Sequence, residues 1–390
     1  MRARHCLVAL VLPALLIGVT ACGDDDDGGG GGAFGGGEGA AGDLETIAGS
    51  LASLPDNGED QTIVWGDLAR AAEIAGLDRP TYPADEQAMV DYLMTVTGTR
   101  SEETDTGTPV AVMPPEAAHA ESAADQTAFV DDVGWSLLQV DRFVERQSPP
   151  DSITVLDGDF DEDALTDALG EPTDGVWEAG SGEPGEVDVA GSTPARPLGE
   201  SLWLALAGDG GPLTVTRDPG TSAEVGDALA GDADGVLDDD VSLAALATAL
   251  DDQSAYGALL LRPGINGVSA LGQSVSPEQA EQLCDQLLPQ PTAAVATGVT
   301  ADDDGPVILI ALAHVSAEAA SANADALEEM VTNGSSILSN EPWSERLELD
   351  GVETTGHDLV VVARLRPVER IGTRLWYDIV MRRDNLVTAC

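Results

Sequence analysis

The chain has 390 residues, 17 of them basic and 70 acidic, for a formal net charge of −53. That length leaves room for two or three domains with ample core. So acidic a surface repels polyphosphate and anionic headgroups, which excludes nucleic acid as a partner.

The first 22 residues form a distinct segment. Arg2 and Arg4 make a short basic head, Leu7 to Ile17 an apolar run, and Gly18 to Ala21 a stretch of mostly small residues before Cys22. A secretory signal has this order of basic, apolar and small parts. A spanning helix needs roughly 20 apolar residues; this run stops before Asp24–Asp27 and carries Pro13 in its middle. The closing run Val19-Thr-Ala-Cys22 resembles the lipobox of bacterial lipoproteins, with Val19 where Leu is commonest. The resemblance implies cleavage after Ala21 and a diacylglycerol on the Cys22 thiol, with further acylation (palmitate-type) of the new amino terminus. Stable anchoring takes more than one acyl chain, which this chemistry supplies. The implied location is the outer face of the cytoplasmic membrane, facing the cell wall, with the membrane as partner through Cys22. Loss of residues 1–21 would leave 15 Arg against 70 acids, a net charge of −55.

Residues 22–42 are Gly- and Asp-rich and have nothing to bury. They read as a disordered tether, with a reach of about 25 Å for twenty Gly-rich residues. Beyond it Leu44, Ile47, Leu51 and Leu54 recur at helical spacing before Pro55. Thr62–Trp65 reads as a buried strand, Leu68–Ala75 as a helix stopped by Gly76, and Asp85–Val96 as a second helix stopped by Gly98. Pro109–Met113 is a strand candidate and Glu116–Ala124 a helix candidate, while Gly134–Val144 fits neither period. Ser148-Pro-Pro-Asp151 looks like a joint. Ile153–Leu156 is then a strand, with Asp161 capping a helix to Leu169, an order that echoes residues 62–76. Residues 173–199 read as a long loop with short strands. Ser201–Leu206 and Leu213–Thr216 read as a hairpin, Ser222–Leu229 and Val241–Leu250 as helices, and Tyr256–Leu261 as a strand.

Further on, Pro277–Leu288 reads as a helix carrying Cys284, and Ala293–Val299 and Val307–Val315 as strands joined by an Asp-rich turn. Ser316 caps a helix to about Val331. The end reads as four strands, Leu347–Glu353, Leu359–Leu365, Leu375–Met381 and Leu386–Ala389. Seven Arg lie between Arg346 and Arg383, which makes this end nearly neutral. It is a candidate contact face, although pairing of Arg with acids on its own sheet explains it more simply.

Helices interleave with hairpins, so the expected fold is α+β, with mixed or mainly antiparallel sheets and packed helices. The expected parts are a signal peptide (1–21), a lipidated tether (22–42), an α+β domain (43–262, with a joint near 150) and a β-rich α+β domain (263–390). With Cys6 leaving in the signal and Cys22 lipidated, Cys284 and Cys390 remain, and an exported chain joins such a pair.

Chemistry-bearing motifs are scarce. The absence of Lys rules out Ser-x-x-Lys and the Gly-Lys-Ser/Thr phosphate loop, and no Gly-x-Ser-x-Gly elbow is present. His119, His314 and His357 follow no metal-hydrolase spacing. Asp157-x-Asp159-x-Asp161 starts like a calcium loop but has Glu162 at the sixth position and Ala168 at the twelfth. The six Trp read as core anchors. No catalytic residue, cofactor or metal site is assigned, and the enzyme reading is disfavoured. The expected role is non-enzymatic: binding an unidentified protein or small molecule, or shaping the envelope. The alternatives are a transporter's solute-binding protein and a lipid carrier. The body resembles uncharacterised exported lipoproteins of high-GC Gram-positive bacteria in composition and layout.

Overall fold

The computed structural model describes residues 43–98, 110–118, 126–149, 151–208, 210–233, 235–271, 276–368 and 374–390. The signal segment, Cys22 and the tether lie outside them, as does His119. Residues Gly36–Cys390 form one compact unit.

The strands are β1 (Gln61–Asp67), β2 (Val140–Ser148), β3 (Asp151–Gly158), β4 (Val176–Ala179), β5 (Leu202–Leu206), β6 (Leu213–Thr216), β7 (Gly257–Arg262), β8 (Ile265–Asn266), β9 (Ala294–Asp302), β10 (Gly305–Ala313), β11 (Leu347–Thr355), β12 (Val360–Pro367) and β13 (Thr388–Ala389). The helices are α1 (Ile47–Leu51), α2 (Leu68–Ala75), α3 (Glu86–Val96), α4 (Gln126–Val133), α5 (Glu162–Leu169), α6 (Pro219–Ala230), α7 (Val241–Asp252), α8 (Pro277–Cys284), α9 (Ala317–Asn333) and α10 (Leu375–Met381). Eleven strands form one sheet in the order β11-β12-β10-β9-β7-β1-β2-β3-β6-β5-β4. Every pairing in it is antiparallel. The fold is α+β, as the hairpin-rich pattern leads one to expect. β8 and β13 form a separate parallel pair.

Alternation along the strands sends side chains to two apolar layers. Val64, Phe143, Leu156, Val215 and Leu204 face one side, covered by residues of α2, α3, α4, α5, α9 and α10. Ile63, Trp65, Val144, Ile153 and Val155 face the other, against α1, α6 and α7. All six Trp are buried, as expected. Asp67 and Asp161 each cap the helix after their strand, and the two strand–turn–helix units lie on either side of β2. Position 262 ends β7, which pairs with β1 on one side and β9 on the other. The division expected there is not a break in the sheet.

Several local expectations are corrected. Leu375–Met381 is the helix α10, with Leu375, Trp376, Ile379 and Val380 buried on one face. An apolar run of seven fits strand or helix equally, and packing over β9 and β10 decides it. Leu386 and Val387 are buried but only Thr388–Ala389 is strand. Residues 110–113 run through the core without pairing in the sheet; Val112 N–H donates to Val96 O, and the Trp376 indole donates to Ala111 O at 2.9 Å. The helix expected from Glu116 is a 3-10 turn over Glu116–Ala118, and the residues after it lie outside the described ones. Gly134–Val144 resolves into a 3-10 turn, Leu137–Gln139, leading into β2.

The Cys284–Cys390 bond is present, with Cα atoms 5.1 Å apart. It joins the end of α8 to the last residue. Of the Arg-rich end, Arg364 and Arg366 pair with acids on their own sheet. Arg366 and Arg364 of β12 grip Asp302 at the end of β9 and Asp350 of β11 at 2.7–3.3 Å.

Candidate functional site

Near one end of the sheet, β3, β6 and β5 form the floor of a shallow groove. The register places Val64, Glu145, Thr154, Val215 and Leu204 side by side on one face. The row is apolar except at Glu145 and Thr154. The groove is lined by Ser152, Thr154, Val215, Thr216, Arg217 and Leu202 from the strands and their ends, with Glu116, Ala117 and Ala195 from flanking segments. Its volume is about 30 Å³.

Glu145 lies directly behind this wall, 1% exposed. Its Oε2 accepts the backbone N–H of Glu116 at 2.6 Å and the Thr154 hydroxyl at 3.2 Å. Its Oε1 accepts the Gln147 amide. Burial, reinforced by the Glu116 charge, pushes the Glu145 carboxyl up to about 7, while these three donors pull the other way. The same Gln147 amide reaches Glu116 Oε2 at a long 3.4 Å. Glu116 Oε1 pairs with Arg217 at 3.1 Å, and Arg217 Nε with Glu200 at 3.4 Å. A chain of polar groups thus runs from a buried carboxylate to the groove surface. Tyr377 of α10 flanks it; burial raises the phenol's pKa, Arg374 partly offsets this, and the Glu145 and Glu116 charges add to it.

This arrangement has the elements of a binding site: a titratable group held near neutrality, an accessible carboxylate, and a guanidinium between two acids. Sequence reasoning missed it. The signal was in β2, where Phe143, Glu145 and Gln147 share one face and Glu145 occupies a slot that alternation reserves for an apolar side chain.

The residues singled out from sequence serve elsewhere. Cys284 and Cys390 close the chain end, far in sequence from the groove. His314 is buried at the end of β10, its Nε2 accepting from Asn323 at 2.8 Å, while Asn323 also bonds the Gln290 backbone. Burial lowers the His314 pKa. His357 sits in the β11–β12 turn in the left-handed region, φ 58°. Of the calcium-loop-like acids, Asp157 pairs with Arg142 at 3.3 Å and Asp161 caps α5. Among the described residues, no group of three or more His, Cys, Asp or Glu is arranged to hold a metal. No described helix is long and apolar enough to cross a membrane.

A second polar cluster lies by β7 and the 56–61 loop. Arg262 grips Asp56 through two bonds of 2.7 Å and Asp240 at 3.0 Å. The Arg262 guanidinium holds the Asp56 carboxyl down at about 2. With its acids paired and its arginine enclosed, this cluster ties β7 to the loop and to the start of α7.

No protein-family profile matches the chain, and no curated protein matches its sequence. Among solved structures it is similar to TP0453. Crystal form I of that protein superposes with a TM-score of 0.38 at 8% identity, over 85% of this chain and 97% of that one. Form III gives 0.35 at 10%, over 84% and 98%. Form IV gives 0.36 at 10%, over 85% and 96%. Such loose superposition leaves the function to be argued from this chain's own residues.

Proposed function

We propose that this chain is an exported binding protein, anchored through lipid on Cys22 at the outer face of the cytoplasmic membrane, and that the Glu116–Arg217 groove takes the head group of a small primary amine. The observation that carries the reading is the pairing of a small groove with an accessible carboxylate. A volume of about 30 Å³ accommodates an ammonium-sized group, since one water needs about 10–15 Å³. Glu116 keeps roughly a third of its side chain exposed, at 37%. The guanidinium of Arg217, lying between Glu116 and Glu200, marks what these carboxylates accept: a cation with N–H donors. Ala117, Ala195, Leu202 and Val215 offer apolar contact to a short alkyl tail leaving by the open side. The net charge of −53 enriches cations around the body and disfavours anions.

The solute-binding alternative calls for two lobes with separate sheets, whereas one sheet spans both expected halves here. Calorimetric titration with small primary amines, tetramethylammonium and carboxylates of equal size tests the binding reading. Primary amines are expected to bind, and Glu116→Gln to weaken them about tenfold through loss of a partly desolvated charge contact. Equal behaviour of all three classes would sink it. For the anchor, mass spectrometry of the native protein is expected to find a chain starting at a diacylated Cys22. An intact Met1–Ala21 without lipid would count against it.

A further inference from the structure

We infer that occupation of the groove by an amine is coupled to release of a proton from Glu145, so that ligand binding responds to pH. The inference rests on the amine reading above and adds to it a linked ionisation.

The geometry has three parts. Glu145 is sealed from solvent, yet it contacts two groove residues, the backbone of Glu116 and the hydroxyl of Thr154. Each of its described hydrogen-bond partners, Glu116 N–H, Thr154 and Gln147, is a neutral donor. Finally, Gln147 spans the two carboxylates, bonding Glu145 with the same amide that reaches toward Glu116. The groups facing Glu145 are accordingly Gln147 from its own strand, Thr154 from β3, and Glu116 from the 3-10 turn. Arg217 at the end of β6 acts through Glu116, with Glu200 behind it. Tyr377 of α10 is the remaining titratable neighbour, with Arg374 beside it. Val64 of β1, opposite in register, is apolar.

In this setting the charge on Glu116 is the electrostatic obstacle to ionising Glu145, added to the cost of burial. An ammonium group seated on Glu116 adds a second positive charge beside that of Arg217 and offsets the Glu116 charge more fully. Glu145 then gives up its proton to the buffer and keeps its three donors as a carboxylate. The balance is one ammonium bound and up to one proton released, with no other bond made or broken. By reciprocity, conditions that ionise Glu145 tighten amine binding by the same factor by which the amine promotes ionisation. Small alkylamines stay protonated throughout this range, so a change in affinity between pH 6 and 8 reads the carboxyl.

Titration calorimetry of the full chain with ethylamine tests the coupling, run at pH 7 in two buffers of different ionisation enthalpy and repeated across the neutral range. The expected result is about half a proton released per amine at pH 7, and affinity up to about tenfold higher at pH 8 than at pH 6. Glu145→Gln is expected to bind ethylamine with neither proton release nor pH dependence. Thr154→Val removes one donor to the ionised form and should move the midpoint of proton release upward; it carries the test if the Gln variant does not fold. Binding with no proton exchange and equal affinity at both pH values overturns the coupling and leaves the amine reading standing. A midpoint unmoved in Thr154→Val also counts against it. Absence of binding at every pH overturns both.

Discussion

Glu145 is a carboxylate in a slot that strand alternation reserves for an apolar side chain. Because its folded-state pKa of about 7 lies above the ordinary value of 4.5, the folded chain holds this proton more tightly than the unfolded chain does. Its contribution to stability is therefore full below about pH 4.5 and is lost as pH rises through 7. The full swing is about 3 kcal/mol at one unit per 1.36 kcal/mol. Glu145→Gln, isosteric and never charged, should be more stable than the native chain at pH 8 by about 2–3 kcal/mol. The difference should fade toward pH 5. Urea unfolding at both pH values checks this; a variant less stable at pH 8 would mean that the three hydrogen bonds outweigh the desolvation of the charge. The site was only half legible beforehand. The register of β2 shifts between Val140 and Arg142, and this irregularity at the strand's start hides the alternation that would mark Glu145 as inward-facing.

At the scale of elements, capping and stop signals located most helices within a few residues. Leu68–Ala75 ends at Gly76 in the left-handed region, φ 66°, as a glycine after an apolar helix implies. Ambiguity entered where apolar runs were short. Leu375–Met381 has a strand's composition but lies over β9 and β10 as a helix. The Cys284–Cys390 bond closes a loop of 106 residues in sequence separation, worth about 4–5 kcal/mol in the chain-entropy view. Backbone bonds also hold the terminus: Leu288 N–H to Thr388 O at 3.0 Å, Cys390 N–H to Leu288 O at 2.8 Å, and Gly267 N–H to Ala389 O at 2.8 Å. Reduction is thus expected to lower the urea midpoint substantially while leaving the native circular dichroism intact in the absence of denaturant. If the midpoint is the same in oxidised and reduced protein, the bond does not constrain the unfolded chain.

On the scale of the molecule, charge dominates. Most acidic groups have no basic counterpart, since 70 acids face 17 bases. Self-repulsion therefore weakens the compact state, and salt relieves it because the Debye length falls to about 3 Å at 1 M. The melting temperature should rise steadily from low salt to molar NaCl; a flat profile would show that repulsion is already balanced within the fold. The Asp302–Arg366 pairs are exposed contacts and should loosen slightly over the same range. Their effect runs opposite to that of the net charge and is much smaller.

The sequence by itself determined the α+β class, the Cys284–Cys390 partnership, the burial of every Trp and most helix limits. These follow from local spacing, capping chemistry and the count of cysteines, all of which are properties of neighbouring residues or of composition. Only the tertiary structure decided that one sheet runs through both expected halves, that α10 is helical, and that Glu116, Glu145, Thr154 and Arg217 meet. Those outcomes depend on strand order and on which faces pack together. Glu116 and Arg217 are 101 residues apart yet bonded, and contacts at such separation leave no periodic mark in the chain.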